Sequence, residues 1–202
     1  MKTYSIITRS DYEEYMLRVY FGRGDYLSRC IDRAYRDFNR TLHGLRRIRK
    51  GDELYEKATD RVKLRLDALK KSNVVRSQTA FDKWHRTTCL GLIQLYKKFK
   101  YPRFYVGQAQ KWVNMTLKYI FTMGDSRIKG FGRVYRFCHI PIDKIVLERL
   151  NSLECEFPVF SVAWSRINNY GEYLEFQKWF RNAFKMAPLD AEFKLWMGEH
   201  PK

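Results

Sequence analysis

The spacing of apolar residues constrains this chain most: they recur every three to four positions through nearly every segment and never settle into alternation. Leu54, Ala58, Val62, Leu66 and Leu69 keep that spacing through a Lys/Arg-rich stretch that is predicted to end near Ser72-Asn73. Phe81, Trp84, Thr88, Leu92 and Leu95 keep it again toward Phe99, with Ser77 as a natural N-cap and Tyr101-Pro102 as the stop. Residues so spaced share one face of an α-helix but scatter over both faces of a strand, which predicts an all-α fold. Further helices are predicted over Asp11 to Phe21, within the charged run Asp25 to Arg49, over Gln108 to Met123, and over Ile142 to Leu150 behind Pro141. Two more are predicted over Tyr170 to Phe184 and, after Pro188, Leu189 to Met197. Gly22, Gly24 and Gly51-Asp52 punctuate the first part, and Gly124 to Gly132 is expected to be a flexible, basic loop.

With 202 residues and 45% apolar content the chain can bury a sizeable core. The expectation is one compact helical domain over residues 1–202, built as two closely packed lobes: a basic part over about 1–75 and a second part over about 76–202. No internal repeat is visible. Lysine and arginine number 39 against 22 aspartate and glutamate, a net charge of +17 whose sign attracts polyanions. Charge alone leaves a nucleic acid, an acidic protein and an anionic lipid surface open as partners. The run Leu45-Arg46-Arg47-Ile48-Arg49-Lys50 reads equally as a phosphate contact or as a solvated helix end.

Cys30, Cys89, Cys138 and Cys155 form no Cys-x-x-Cys pair and have no zinc-like spacing to a histidine, so they are expected to be reduced and no metal site is predicted. Cys138 beside His139 reads as a buried thiol next to a hydrogen-bonded imidazole. The first residues lack the apolar core of a signal peptide, and no window resembles a membrane span, so a cytoplasmic protein without membrane contact is expected. The Asn-x-Thr triplets at Asn39 and Asn114 are then chance matches.

Two segments carry candidate chemistry. In Tyr105-Val106-Gly107-Gln108-Ala109-Gln110-Lys111-Trp112-Val113-Asn114, a glycine opens a helix and would let backbone N–H groups face an anion. Lys111, early in that helix and beside Trp112, meets the positive end of the helix dipole and a desolvating neighbour, and both favour the free, nucleophilic amine. In His139-Ile140-Pro141-Ile142-Asp143, a carboxylate appears at the start of an apolar helix, where the anion is stabilised for holding a cationic transition state or accepting a proton. Read alone, Asp143 is first an ordinary helix cap and Lys111 a surface lysine.

Together the two segments resemble a known family. Gly107-Gln108-Ala109-Gln110-Lys111 is similar to the G-x-G-x-K run of the helix-hairpin-helix DNA glycosylases, with Lys111 on their Schiff-base lysine. Ile140-Pro141-Ile142-Asp143 is similar to their V-P-V-D run, with Asp143 on their catalytic aspartate. The separation of the two resembles that of the archaeal 8-oxoguanine glycosylases, with Gly124 to Arg136 as the intervening insertion. The likeness covers mainly residues 100–150, and Asp190 and Trp196 fall where those enzymes keep base-pocket residues. Ala109 stands in place of the second hairpin glycine, Met115 stands where an aromatic would stack on the base, and no iron–sulfur cysteine set follows.

The resemblance implies a cofactor-free, monomeric glycosylase acting on DNA, duplex with a flipped nucleotide or single-stranded. Lys111 would attack C1′ and Asp143 would take its proton; an imine formed in this way would also permit strand cleavage as an AP lyase. An oxidised purine is the default target, in DNA repair; a hypermodified base in foreign DNA, in phage defence, is the second. Gly107, Gln108, Gln110, Lys118, Arg127, Lys129, Arg133 and His139 are candidates for holding DNA. Trp84, Trp112, Asn114, Met115, Trp164, Asp190 and Trp196 are candidates for the base pocket, with core packing the competing role of the tryptophans. The alternatives to an enzyme are a non-catalytic DNA- or RNA-binding module and an interaction protein with basic faces.

Overall fold

A computed structural model describes residues 7–71 and 75–201. Among these residues there are eight α-helices and no strand: α1 (Arg9–Phe21), α2 (Tyr26–Phe38), α3 (Gly51–Lys71), α4 (Gln78–Lys98), α5 (Val106–Met123), α6 (Lys144–Ser152), α7 (Tyr170–Ala183) and α8 (Pro188–Met197). Short 3-10 turns at Asn39–Thr41, Leu45–Arg47, Gly132–Phe137 and Trp164–Arg166 complete the path. No helix among the described residues is long and apolar enough to cross a membrane.

The helix starts follow from their caps. Thr8 and Asp11 form a reciprocal capping box on α1, and Asp25, Ser77, Asp143 and Asn169 each accept a backbone N–H of the helix they precede. Pro188 opens α8, where its missing N–H costs nothing. Several ends differ from the sequence expectation. The charged run is helical only to Phe38, and the basic stretch after it is held as 3-10 turns around Gly44, whose φ of 84° is left-handed. Gly51 starts α3 rather than separating helices, and the predicted stop at Ser72-Asn73 lies outside the described residues. Asp143 stands just outside α6 as its N-cap with an extended backbone, and Ile140 to Ile142 before it are not helical.

One continuous apolar core runs from Phe21 in α1 to Leu195 in α8. At its centre lies α5, buried on nearly every side from Val106 to Ile120, and packed against α2, α4, α7 and the Trp164–Arg166 turn. A helix with that environment needs an apolar or internally satisfied residue at each position. Trp112 shows how this is met: it is fully buried, stacks on Tyr55, and donates its indole N–H to the Ile31 carbonyl at 3.0 Å. Truncating such a side chain costs about 3–5 kcal/mol. In α1, by contrast, Tyr12, Tyr15, Met16 and Val19 form a stripe facing solvent, and only Phe21 is buried.

Candidate active site on the central helix

The site begins with a glycine at the start of α5. A Cβ at Gly107 would lie 1.8 Å from the Trp164 carbonyl oxygen, so no other residue allows this approach. Its N–H donates to the Ile167 carbonyl at 2.9 Å. The expected anion cradle is therefore corrected: the amide that would face a phosphate is already used to hold the Trp164–Arg166 turn against α5. Gln108 is likewise committed, accepting from the Tyr105 N–H at 2.9 Å and donating to the Thr41 carbonyl at 3.1 Å.

The next residues on α5 hold the non-helical segment before Asp143. Gln110 donates to the carbonyls of Gly107 and Ile142, each at 2.9 Å, and accepts from the Ile142 N–H at 3.2 Å. Asn114, one turn on, donates to the Ile140 carbonyl at 2.9 Å. From the other side Gln177 of α7 accepts the Ile140 N–H at 3.0 Å and donates to the Ile140 carbonyl at 2.9 Å. A non-helical backbone buried among helices has no ladder to join, and three side-chain amides supply its hydrogen-bond partners. Gln110 and Asn114 are therefore framework residues rather than direct contacts for DNA.

The clamp delivers Asp143 to Lys111. The Lys111 ammonium donates to Asp143 Oδ2, while Asp143 Oδ1 accepts the Val146 N–H at 2.9 Å and caps α6. The side chains are 6% and 16% exposed, so the pair sits just beneath the surface with its carboxylate end the more open. Asp143 is thus both the N-cap of α6 and the ion-pair partner of Lys111.

A second pair lies two turns along the same face of α5. Lys118 reaches Glu192 of α8 at 2.6 Å, with side chains 8% and 2% exposed, and the nearly buried Met115 sits between the two lysines along the helix. The Lys118 ammonium also lies 4.5 Å from the Phe193 ring centre and 5.8 Å from that of Trp196, which is exposed. Burial pushes the Glu192 carboxyl above its usual range, and Lys118 opposes that shift. Lys118 is thus no phosphate contact on an open surface. Nothing in the local sequence marks Glu192, whose role appears only when α8 packs beside α5.

Behind the clamp lies a buried polar chain. His139 is fully buried and bonds the Tyr173 hydroxyl at 2.8 Å and Asp82 at 2.7 Å, and Asn114 donates to the same hydroxyl at 2.9 Å. Burial lowers the His139 pKa although Asp82 opposes the shift. The Asp82 carboxyl lies below its usual range: burial raises it, and the His139 hydrogen bond and charge outweigh that. A neutral imidazole giving Nε2–H to Asp82 and accepting from Tyr173 satisfies every partner. His139 orders the segment leading to Asp143 and is inaccessible to phosphate.

Other expected site residues lie elsewhere. Trp84 is core, its indole N–H on the Arg65 carbonyl at 3.1 Å, and Trp112 is core as described above. Arg133 donates to the last carbonyls of α3, Leu69 among them at 3.1 Å, and Arg127 donates to the Met123 carbonyl at 3.3 Å at the end of α5. Both neutralise helix C-termini rather than reach outward. Lys129 is exposed, Asp190 accepts from the Tyr135 hydroxyl, and Trp164 is half-buried with its backbone against Gly107. All four cysteines are free, and the Cys138 thiol donates to the Val134 carbonyl at 3.4 Å. Among the described residues no three His, Cys, Asp or Glu side chains gather as a metal site. Concavities of about 790 and 450 Å³ lie along the Asn39 to Lys50 stretch, and neither is lined by Lys111 or Asp143. Comparison with known protein families, curated proteins and solved structures returns no match.

Proposed function

We propose that this chain is a DNA glycosylase in which Lys111 is the nucleophile and Asp143 its proton acceptor. The observation that carries this reading is the Lys111–Asp143 pair, assembled from distant segments by side-chain amides that fix the backbone leading to the carboxylate. A buried ion pair is a poor device for stability, since apolar residues of similar size do as well or better. Two such pairs side by side on one helix face, Lys111–Asp143 and Lys118–Glu192, favour a chemical role.

In the proposed reaction, entry of a flipped deoxynucleotide separates the first pair and Asp143 keeps the ammonium proton. The free amine forms a bond to C1′ as the glycosidic C–N bond breaks, and the electron pair leaves with the base, which then takes up a proton. Loss of a proton from nitrogen and opening of the C1′–O4′ bond, with protonation of O4′, give an imine. Removal of a 2′ proton then expels the 3′ phosphate. Met115 offers an apolar contact to the base, and Lys118 and Glu192 offer a donor and an acceptor to its edge. A purine with an altered edge, oxidised or hypermodified, fits these groups.

The test is borohydride reduction in the presence of duplexes carrying a panel of oxidised and hypermodified bases. Hydride reduces the protonated imine to a stable amine, so at least one duplex should yield a covalent complex that Lys111→Gln abolishes. Asp143→Asn should slow base release by about 10²- to 10⁴-fold. No complex and no released base across the panel would leave a nucleic-acid-binding module as the better reading.

A further inference from the structure

The two concavities share Arg47 and together form a corner between the α2–α3 connection and the α4–α5 turn. The first is lined by Tyr35, Arg40, His43, Arg46, Arg47 and Arg103, among others. The second adds Arg49, Lys50, Lys98 and Lys100 around Ile48 and Phe99. These lysines and arginines are all exposed, and no aspartate or glutamate lines either concavity among the described residues. Among the described residues only Lys50 of this set has a carboxylate within ion-pair distance, Glu53 at 3.1 Å. Arg18, Arg29, Arg33 and Arg181, by contrast, lie against acids.

We infer that this corner is a binding groove for a phosphodiester backbone. Unpaired like charges held together repel one another, and a polyanion relieves that repulsion while releasing its own counterions. Five of the cations are arginines, whose planar fork matches two phosphate oxygens at once. The surface is concave, which suits a strand better than the flat face of a membrane. Its walls are anchored: the Tyr101 hydroxyl donates to the His43 carbonyl at 3.1 Å, and Gln108 holds Thr41 one turn before Lys111 on α5. The groove thus has a fixed position relative to the Lys111 site. It shares with the glycosylase reading only the nucleic-acid partner, and covers a surface that reading does not use.

The test is the affinity for an undamaged labelled oligonucleotide, single- and double-stranded, measured from ~50 to ~200 mM salt. The triple variant Arg46→Gln, Arg47→Gln, Arg103→Gln should bind more weakly. Its plot of log affinity against log salt should be shallower by about 0.7 for single strands or 0.9 for duplex per lost phosphate contact. A control triple at exposed cations elsewhere, Arg23→Gln, Lys178→Gln and Lys185→Gln, should stay near the parent slope. In the unsubstituted protein, the oligonucleotide should shield Lys98 and Lys100 from acetylation while leaving Lys178 and Lys185 reactive. Equal slopes for the two triples, or absence of that protection, would overturn the inference. So would loss of binding to anionic phospholipid vesicles with oligonucleotide binding intact. Borohydride trapping is a separate measurement, so failure of the groove and failure of the nucleophile are distinguishable.

Discussion

The junction of α5 with residues 140–143 and the basic corner over Asn39 to Arg103 are both rich in polar side chains, yet they use them in opposite ways. At the junction Gln108, Gln110, Asn114 and Gln177 bond backbone carbonyls, and His139 bonds the Tyr173 hydroxyl and the Asp82 carboxylate. At the corner Arg40, Arg46, Arg47, Arg49 and Arg103 have no carboxylate partner among the described residues. The difference separates two jobs that composition cannot. Buried polar groups set geometry because leaving any of them unpaired is costly, whereas exposed unpaired charges are free to bind. It also explains why Arg127 and Arg133, basic and beside the candidate site in sequence, belong with the junction: each is tied to the end of a helix.

The contrast is broken most severely at Gly107. An added methyl group would collide with the Trp164 carbonyl, which is backbone and cannot rotate aside. Gly107→Ala is expected to cost roughly 3 kcal/mol or more in urea unfolding, the range reached by overpacked or strained sites. A variant within about 0.5 kcal/mol of the parent would mean that the turn yields and that α5 is not fixed there. Next in size is Gln110→Leu, which leaves the buried Ile142 N–H and carbonyl without partners. With each of the two unsatisfied groups costing at least about 1 kcal/mol, the loss should be about 2 kcal/mol or more. Under the proposed glycosylase function its sharper readout is kinetic: base release should fall while affinity for undamaged DNA holds, since the clamp places Asp143. Equal losses of affinity and rate would put Gln110 at the DNA surface instead.

The spacing of apolar residues is enough to read the helices, because a buried helix face needs that spacing whatever it packs against. Their ends were less legible where capping competes with pattern. Asp143 lies where helix pattern and cap coincide, and the cap prevails because Gln110, Asn114 and Gln177 hold the backbone of the preceding residues outside the helix. The pairing of Lys111 with Asp143 was legible only through the family resemblance of the two short runs that contain them. Glu192 was not, since its partner Lys118 stands on another helix and an acid in an apolar helix carries no mark of its contacts. The tryptophans mislead for a related reason: an indole suited to stacking on a base is equally suited to a core, and only packing decided that Trp84 and Trp112 are core.

The smallest expected effect sharpens the comparison from the other side. If the corner is a set of unpaired cations, removing three of them should barely change stability, in contrast to any change at the junction. The triple Arg46→Gln, Arg47→Gln, Arg103→Gln is expected to unfold within about 0.5 kcal/mol of the parent at moderate salt. The direction at low salt is informative. Like charges on an open surface repel over roughly a Debye length, so the parent should gain stability as salt is added, and the triple should gain less because part of that repulsion is already gone. Urea midpoints at low and high salt measure this directly. A triple that loses stability at every salt concentration would mean that these arginines hold the α2–α3 connection in place, and the line drawn between positioning groups and binding groups would then run through the corner itself.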